Sequence, residues 1–346
     1  MKVVVIGAGY AGTIAANRLV KKADAEVTVV NPRPGFVERV RLHEHIAGSG
    51  TAVTPLTEML DPRIRLVVGS VDKIGDGTLL LADGTSLPFD RAIYAAGGAP
   101  TAPSGAFAVG ALETAEEAHR ALSALPDGAG VTVVGGGLTG IETAAEVAES
   151  RPGLRVRLLS EGEVGASLGP GARARVRREL DRLGVVVERG RFDGTDGADL
   201  VLWAIATKVS DLAARSGLAV DDAGRVIVDE FLRSVSDPRI VAVGDGAAVP
   251  GARLSCQTAL PQGAHGADNL ARELAGKRAK PYSMGYTGQN VSIGRRSAVI
   301  QAARRDDTPT RLQFGGRSAA LVKEQVCRVA KGAARTARYA WLPAPR

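Results

Sequence analysis

The sequence predicts an α/β fold with two doubly wound, Rossmann-like domains, one inserted in the other, and a small C-terminal α+β domain. Two glycine fingerprints of the form GxGxxG begin at Gly7 and Gly135, and an apolar β run precedes each of them. A helical pattern follows each fingerprint, and a second β run follows that pattern at residues 25–30 and 154–159. One fingerprint is weak evidence, but two copies in the same strand–turn–helix setting argue against a chance match.

The three glycines of such a fingerprint have separate physical roles. The first permits a tight turn, the second lets the backbone approach a pyrophosphate, and the third lets the helix pack close to the sheet. The helix N-terminus then offers N–H groups to the phosphates. Two copies predict two dinucleotides that face each other, as hydride transfer from a nicotinamide to a flavin requires. The glycines concerned are Gly7, Gly9 and Gly12 in the first copy and Gly135, Gly137 and Gly140 in the second.

The second strand of such a unit normally ends in an acid that binds the adenosine ribose. The first copy has Asn31 at this position, whose amide still offers hydrogen bonds to a ribose. The second copy has Ser160 followed by Glu161, and a carboxylate there would repel a 2′-phosphate, which favours NADH over NADPH. Arg173 and Arg175 lie nearby in the sequence and leave NADPH open, because an arginine accommodates that phosphate.

The remaining elements follow in order along the chain. β runs at 64–68 and 79–81 flank Asp-Gly turns, and a further run beginning at residue 89 ends at the glycine pair Gly97 and Gly98. Helical patterns cover 112–125 and 173–183, with β runs at 185–187 and 200–203. A β run near residue 240 is followed by a Gly-Asp-Gly turn that contains Asp245. The carboxylate of Asp245 can accept hydrogen bonds from cofactor hydroxyls, or the sequence forms a turn without a further role.

A charged segment at residues 36–45 has two interpretations. Arg41 and His43 are candidate catalytic residues, since histidine titrates near working pH and the cluster suits a proton relay or an anionic substrate. The alternative is a charged helix face on which Glu38 and Glu44 pair with Arg41 at helical spacing.

Composition and charge exclude several classes of protein. The hydrophobic share of 45% and charged share of 23% are ordinary for a globular chain. No apolar run reaches about 18–20 residues, and a strand that begins at Lys2 leaves no room for a signal peptide, so a cytoplasmic protein is expected. Four histidines without a ligand-spaced cluster beyond His43 and His45 predict no metal site, and the 4% aromatic content comes without a nucleic-acid motif.

The cysteines limit the possible redox chemistry, and the C-terminal charge limits the possible binding partners. The only cysteines, Cys256 and Cys327, form no CxxC or CxxxxC motif, so a motif-type redox dithiol is excluded and buried free thiols are favoured. Residues 300–346 carry a net charge of +7, which equals the net charge of the whole chain. This basic end suits an anionic lipid surface, an acidic partner or plain solvation.

In the order of its motifs the chain resembles the two-dinucleotide flavoprotein superfamily of pyridine-nucleotide oxidoreductases. Within it, the chain is most similar to type II NADH:quinone oxidoreductases and apoptosis-inducing-factor-like flavoproteins. The resemblance rests on residues 1–20, 89–100, 131–146 and 236–270. It implies an FAD-binding domain at 1–108 and 236–280, a NAD(P)H-binding domain at 109–235, and a C-terminal domain at 281–346. The residues that it places at the two cofactors, beyond the glycines of the fingerprints, are Asn31, Arg41, Ala96, Gly97, Glu142, Glu161, Gly244, Asp245, Gln257, Thr258 and Ala259.

The resemblance implies an FAD-dependent oxidoreductase that takes a hydride from NADH and passes electrons to a quinone-like acceptor. One departure concerns that acceptor: Gln257 matches the first glutamine of the family's quinone pocket, but Pro261 replaces the second and Gln262 follows it. The alternatives are a flavoenzyme acting on a small organic substrate and a redox-sensing binding protein. The basic C-terminus leaves open peripheral contact with the inner membrane face, and the tail after the last helix suits packing in a homodimer.

Overall fold

The computed structural model describes residues 1–98, 100–194, 197–205 and 209–345. Its strands are β1 (Lys2–Ile6), β2 (Glu26–Asn31), β3 (Gly35–Val37), β4 (Val53–Pro55), β5 (Arg65–Val68), β6 (Val71–Ile74), β7 (Thr78–Leu81), β8 (Ser86–Pro88), β9 (Arg91–Tyr94), β10 (Ala106–Ala108), β11 (Gly130–Val134), β12 (Arg155–Ser160), β13 (Val186–Arg189), β14 (Leu200–Trp203), β15 (Val226–Ile227), β16 (Ile240–Ala242), β17 (Ala247–Ala248), β18 (Gly288–Ile293), β19 (Ser297–Ala303) and β20 (Pro309–Gly316). Its helices are α1 (Tyr10–Lys22), α2 (Leu42–Ala47), α3 (Leu56–Met59), α4 (Leu112–Ala124), α5 (Leu138–Ser150), α6 (Pro170–Arg182), α7 (Leu212–Arg215), α8 (Cys256–Leu274) and α9 (Arg317–Thr336).

Two parallel five-stranded sheets form the framework. The first has the order β16-β9-β1-β2-β5 and the second β10-β14-β11-β12-β13. The central strands β1 and β11 are buried on both faces and are apolar there except for Thr132, because helices cover both sides of a parallel sheet. Each fingerprint connects a central strand to its helix, β1 to α1 and β11 to α5, which confirms the predicted doubly wound fold.

The chain leaves the first sheet after β9 and returns to it only with β16. The second sheet, including the short strand β10, is built from the residues in between. The predicted domain limits at 108 and 235 do not coincide with these changes of sheet. β10 ends at Ala108, and Leu212, Leu218 and Val226 already pack in the core of the first sheet.

The C-terminal part contains the antiparallel sheet β18-β19-β20 followed by the long helix α9. Val291, Ile293 and Val299 of the sheet pack into the core of the second sheet. Ala330 and Ala334 of α9 pack into the core of the first. The C-terminal domain therefore contacts both nucleotide-binding units. Within the described ranges, no helix combines the length and the apolar character that a membrane span requires.

Asn17 of α1 is fully buried and caps the C-terminal end of α9. Its Nδ2 donates to the carbonyls of Met59 at 2.8 Å and Ala334 at 2.9 Å, and its Oδ1 accepts from the backbone N–H of Asp61 at 2.8 Å. The polar side chain is tolerated in the core because the hydrogen bonds satisfy it.

Replacing Asn17 by alanine is expected to lower the free energy of unfolding by about 3 kcal/mol, because the buried carbonyls lose their donor. Chemical denaturation followed by circular dichroism measures the change. Lys21→Met is the matched control, since the exposed Lys21 ammonium donates to Thr336 of the same helix end and its loss should cost no more than about 0.5 kcal/mol. Equal effects of the two substitutions would contradict the role assigned to Asn17.

Candidate functional site

The turn between β1 and α1 has the geometry that the first fingerprint predicts. Gly7 has a φ of +96°, and a Cβ built on it would lie 2.5 Å from the carbonyl oxygen of Ala95. A Cβ on Gly12 would lie 1.9 Å from the Gly7 oxygen, so the helix can approach the strand only with glycine there. A Cβ on Gly9 would meet nothing within 4 Å, so the turn is open where a pyrophosphate would approach.

The second fingerprint repeats this arrangement between β11 and α5. Gly135 has a φ of +123°, a Cβ on Gly140 would lie 1.8 Å from the Gly135 oxygen, and a Cβ on Gly137 would meet nothing within 4 Å. Gly9 and Gly137 are the N-cap residues of their helices, and no side chain caps either helix. Both turns therefore fit a dinucleotide pyrophosphate, because neither helix N-terminus is occupied by a capping side chain of the described residues.

Asn31 at the end of β2 is engaged within the protein. Its Oδ1 accepts from the Ala8 N–H at 3.0 Å, and its Nδ2 donates to the Arg33 carbonyl at 2.7 Å. The side chain thus ties the strand end to the fingerprint turn, and its contact with a ribose stays a prediction. Arg173 pairs with Glu163 at 2.8 Å, whereas Arg175 donates to Gln313 of the C-terminal sheet at 3.2 Å and does not face the strand end.

Asp245 lies in a 3₁₀ turn between β16 and α8, and no hydrogen bond to its carboxylate occurs among the described residues. Burial raises the pKa of Asp245, and the Arg39 guanidinium opposes that shift. A half-buried carboxylate that accepts no hydrogen bond from the described residues suits the hydroxyls of a cofactor. Gln262 holds this turn, since its Oε1 accepts from the Gly244 N–H at 2.7 Å. The buried Gln262 therefore supports the turn that carries Asp245.

The N-terminus of α8 carries the other predicted flavin contacts. The Ser255 hydroxyl accepts from the Thr258 N–H at 3.3 Å as a helix cap. Gln257 donates to Thr287 at 2.8 Å and accepts from Arg253 at 3.0 Å, which fixes its amide. Ala259 is buried in the core between α8 and the first sheet.

Ala96 and Gly97 follow β9 at the carboxyl edge of the first sheet, beside the first fingerprint turn. The Ala96 Cα would lie 3.1 Å from a Cβ on Gly7. Gly97 has a φ of +66°, and its carbonyl accepts from the Ser210 N–H at 3.2 Å. Both residues therefore border the first fingerprint turn, and their contacts with a cofactor stay predictions.

Arg41 forms the ion pairs that the helix-face interpretation predicts. It lies 3.0 Å from Glu44 and 3.5 Å from Glu38. A third partner, Glu324 of α9, lies 2.9 Å away. These pairs occupy the guanidinium, and a catalytic role for Arg41 stays a hypothesis.

His43 is buried beside the second fingerprint helix, with its Nε2 3.4 Å from the Ser292 hydroxyl. Burial lowers the pKa of His43 to about 4, so the imidazole is neutral at neutral pH. A neutral imidazole relays protons only by accepting and releasing them in turn, and it attracts no anion by charge.

Since the folded pKa of His43 lies below the unfolded value of about 6.5, the unfolded chain binds the extra proton first. The wild type should therefore lose stability relative to His43→Gln as pH falls from about 6.5 to about 4, and the gap should be constant above this window. Urea denaturation across this pH range, with NMR titration of the imidazole, tests the expectation. An imidazole that protonates near pH 6.5 would contradict it.

Glu142 of α5 has a partner that the sequence did not reveal. The Lys323 ammonium on α9 lies 3.0 Å from Glu142 Oε1, with side-chain exposures of 13% and 9% respectively. The Ser292 N–H and hydroxyl donate to the same oxygen at 3.0 Å. Burial raises the pKa of Glu142, but Lys323, His43 and the hydrogen bond from Ser292 together outweigh it, so the pKa of the carboxyl lies below its ordinary range.

Both cysteines are free thiols, and burial raises the pKa of each. Cys327 on α9 is buried as expected, whereas Cys256 at the start of α8 is half-buried. No group of three or more metal-binding side chains occurs in the part of the chain that the structure describes.

Two open dinucleotide cradles on separate parallel sheets define a two-dinucleotide flavoprotein oxidoreductase. Residues 1–267 match the model of the pyridine nucleotide-disulphide oxidoreductase family. The chain belongs to this family, and it is an FAD-dependent NAD(P)H oxidoreductase. The family name refers to a disulphide, but this chain has neither a CxxC nor a CxxxxC motif. It is therefore a member that lacks a disulphide centre of the motif type.

Relatives that are named as NADH dehydrogenases or NADH:quinone oxidoreductases match most of the chain. An NADH dehydrogenase-like protein of Mycobacterium tuberculosis is 31% identical over 331 residues, which cover 79% of this chain and 80% of the relative. A type II NADH:quinone oxidoreductase of the same organism is 27% identical, with 91% and 80% covered. Among solved structures, NDH2 of Plasmodium falciparum with NADH superposes with a TM-score of 0.76 at 14% identity, covering 96% of this chain and 97% of that one, and supports the fold alone.

Proposed function

We propose that the protein passes electrons from NADH through the flavin to a quinone-like two-electron acceptor. The bound flavin would supply the redox chemistry, accepting a hydride from the nicotinamide and releasing electrons to the acceptor. The observation that carries the proposal is the Glu142–Lys323 pair beside the second fingerprint. A buried ammonium there stabilises negative charge that develops on an acceptor during reduction, and the carboxylate holds it in place. Two further observations support a quinone-like acceptor. The sequence has no CxxC dithiol, and one of the relatives is named a type II NADH:quinone oxidoreductase.

An anaerobic absorbance titration tests this function on the purified flavoprotein. NADH should bleach the flavin, and a soluble quinone should restore its colour. Lys323→Met should slow the second step at least about tenfold and the first step less, because the lost charge is the one proposed to stabilise the acceptor as it is reduced. A flavin that NADH bleaches but no quinone reoxidises would contradict the proposal, as would equal slowing of both steps.

A second candidate function is the oxidation or reduction of a small charged organic substrate. A cavity of about 310 Å³ favours it, since buried Glu38 and Glu44 line its floor with Arg41, and α9 contributes Glu324, Arg328 and Lys331. Mixed charges suit a polar zwitterion better than a quinone. Arg41→Gln, at a residue that lines this cavity, should then abolish turnover of that substrate while sparing flavin reduction by NADH, and unchanged turnover would count against this candidate.

We further propose that α9 and β20 dock on an anionic membrane surface. Leu321 and Val329 are 69% and 63% exposed, and they share a face with other exposed apolar and basic side chains. The patch is wider than the helix alone, because the neighbouring strand extends it. Its members are Arg311, Leu312, Phe314, Arg317, Leu321, Val322, Val326, Arg328 and Val329.

Leu321→Glu combined with Val329→Glu should reduce co-sedimentation with phosphatidylglycerol vesicles about tenfold, since the charges oppose both apolar burial and lipid attraction. Val235→Glu, an equally exposed apolar site on the first unit, is the matched control and should bind as the wild type does. A homodimer through the same face is the competing outcome. Membrane docking would be contradicted if the wild type does not bind vesicles and instead sediments as a dimer, while the double variant sediments as a monomer.

A further inference from the structure

Residues 36–49 form a connecting segment between the two fingerprint helices. At one end, the Phe36 ring lies edge-on to the ring of Tyr10, the first residue of α1, with the ring centroids 5.2 Å apart. At the other end, Leu42 and Ile46 of α2 are fully buried in the core of the second sheet, where α2 packs against α5. The connecting segment therefore reaches from one dinucleotide cradle to the helix that begins at the other.

A buried carboxylate of α5 holds the far end of this segment. Glu146 is 1% exposed, and it accepts a hydrogen bond from the hydroxyl of Ser49, which follows α2. The guanidinium of Arg295, in the turn between β18 and β19, lies 3.0 Å from the same carboxylate. Burial raises the pKa of Glu146, and Arg295 and the Ser49 hydrogen bond oppose that shift. One side chain of the second unit thus has partners in the connecting segment and in the C-terminal domain.

Arg295 also binds the connecting segment directly. Its Nη1 lies 2.9 Å from Oε1 of Glu44 on α2, whose side chain is 7% exposed, and its backbone N–H donates to Glu149 of α5. The guanidinium therefore lies between buried acids of two different helices, and the charge of Glu44 acts to raise the pKa of Glu146. Without the guanidinium, two buried carboxylates would repel each other across the contact between α2 and α5.

We propose that Arg295 is a positioning residue for hydride transfer. By fixing α2 to α5, it sets the distance between a nicotinamide bound at the second fingerprint and a flavin bound at the first. The inference rests on the proposed function, in which the two fingerprints hold these two cofactors. Hydride transfer depends steeply on this distance, and a displacement of about 1 Å caused by a remote substitution can cost about a hundredfold in rate.

Anaerobic stopped-flow reduction of the full-length flavoprotein by NADH measures the limiting rate per bound flavin. Arg295→Met should lower that rate at least about tenfold, whereas calorimetric titration with NAD⁺ should show a Kd within about twofold of the wild type. Hydrogen-exchange mass spectrometry should show faster exchange in α2. Arg296→Met is the matched control, because Arg296 is exposed on the same turn and forms no ion pair with any residue that the structure describes.

Glu44→Gln releases only the α2 side of this contact. It leaves Arg295 paired with Glu146, so no buried acid loses its counter-charge, and the limiting rate should still fall about fivefold. Deuterium at the transferred position of NADH should slow both variants, since hydride transfer then remains the step that is measured.

A residue that only stabilises the fold would lower the free energy of unfolding and leave the limiting rate per bound flavin unchanged. Wild-type limiting rates in both variants would therefore overturn the inference alone, as would a slowed rate without the isotope effect. A wild type whose flavin NADH does not reduce would overturn the inference together with the proposed function.

Discussion

Replacing Gly137 by valine should weaken NADH binding more than about a hundredfold while the fold remains intact. The position has an ordinary φ of −74°, and an added Cβ meets no protein atom within 4 Å. The added side chain therefore costs the protein itself no more than about 1 kcal/mol, chiefly through a poorer N-cap. The new methyl groups lie where the pyrophosphate must approach the backbone. Calorimetric titration with NADH and chemical denaturation measure the two effects.

Gly140→Ala is the matched counterpart, with the opposite expected outcome. Its Cβ would lie 1.8 Å from the backbone oxygen of Gly135, which cannot move aside without distorting the turn. The free energy of unfolding should fall by about 3 kcal/mol or more. Full NADH affinity in Gly137→Val, or unchanged stability in Gly140→Ala, would refute the roles assigned to these glycines.

Lys323→Met should lower the free energy of unfolding by about 3–5 kcal/mol, because it leaves the buried Glu142 carboxylate without a counter-charge. The double variant with Glu142→Gln should recover most of that loss, since no unpaired charge then remains. Arg328→Gln on the same helix is the control, because its exposed pair with Glu324 is worth no more than about 0.5 kcal/mol. A double variant no more stable than Lys323→Met would contradict the pairing.

The pH dependence of this pair has a definite sign. The pKa of Glu142 is lowered in the folded protein, so its contribution is present above the ordinary carboxyl pKa and is lost as pH falls through the folded value. The pKa of Lys323 is raised, chiefly by Glu142 against the opposing effect of burial, so its contribution is lost only as pH rises through that raised value. The stability difference between the wild type and the double variant should be constant near neutral pH and should change at both extremes.

The fold was predictable because its signals are local. A glycine that turns a strand into a helix acts on its immediate neighbours, and the open positions Gly9 and Gly137 follow from the spacing alone. The turn at Asp245 was predictable for the same reason, because the Gly-Asp-Gly sequence that forms it is local. The Arg41 pairs with Glu38 and Glu44 were also predictable, since helical spacing brings such residues together.

The rest of the site could not be predicted, because its contacts join distant parts of the chain. Lys323 looked like one more basic residue of the C-terminal stretch until the fold placed it on Glu142. The sequence showed only that Gln262 follows Pro261, and its hydrogen bond to Gly244 became visible in the fold. The sequence could not show which apolar side chains of α9 lie at the surface, and the fold exposes Leu321 and Val329.

The cap of Asn17 on α9 has a consequence for how the chain folds during synthesis. Asn17 leaves the ribosome long before Ala334, so the first fingerprint helix carries a buried amide that has no partner on α9 through most of translation. Contacts of such high sequence separation form late and slowly. The nascent first unit should therefore remain loosely packed and dependent on chaperones until the C-terminal helix docks. Stable loading of the flavin would then follow the completion of the chain.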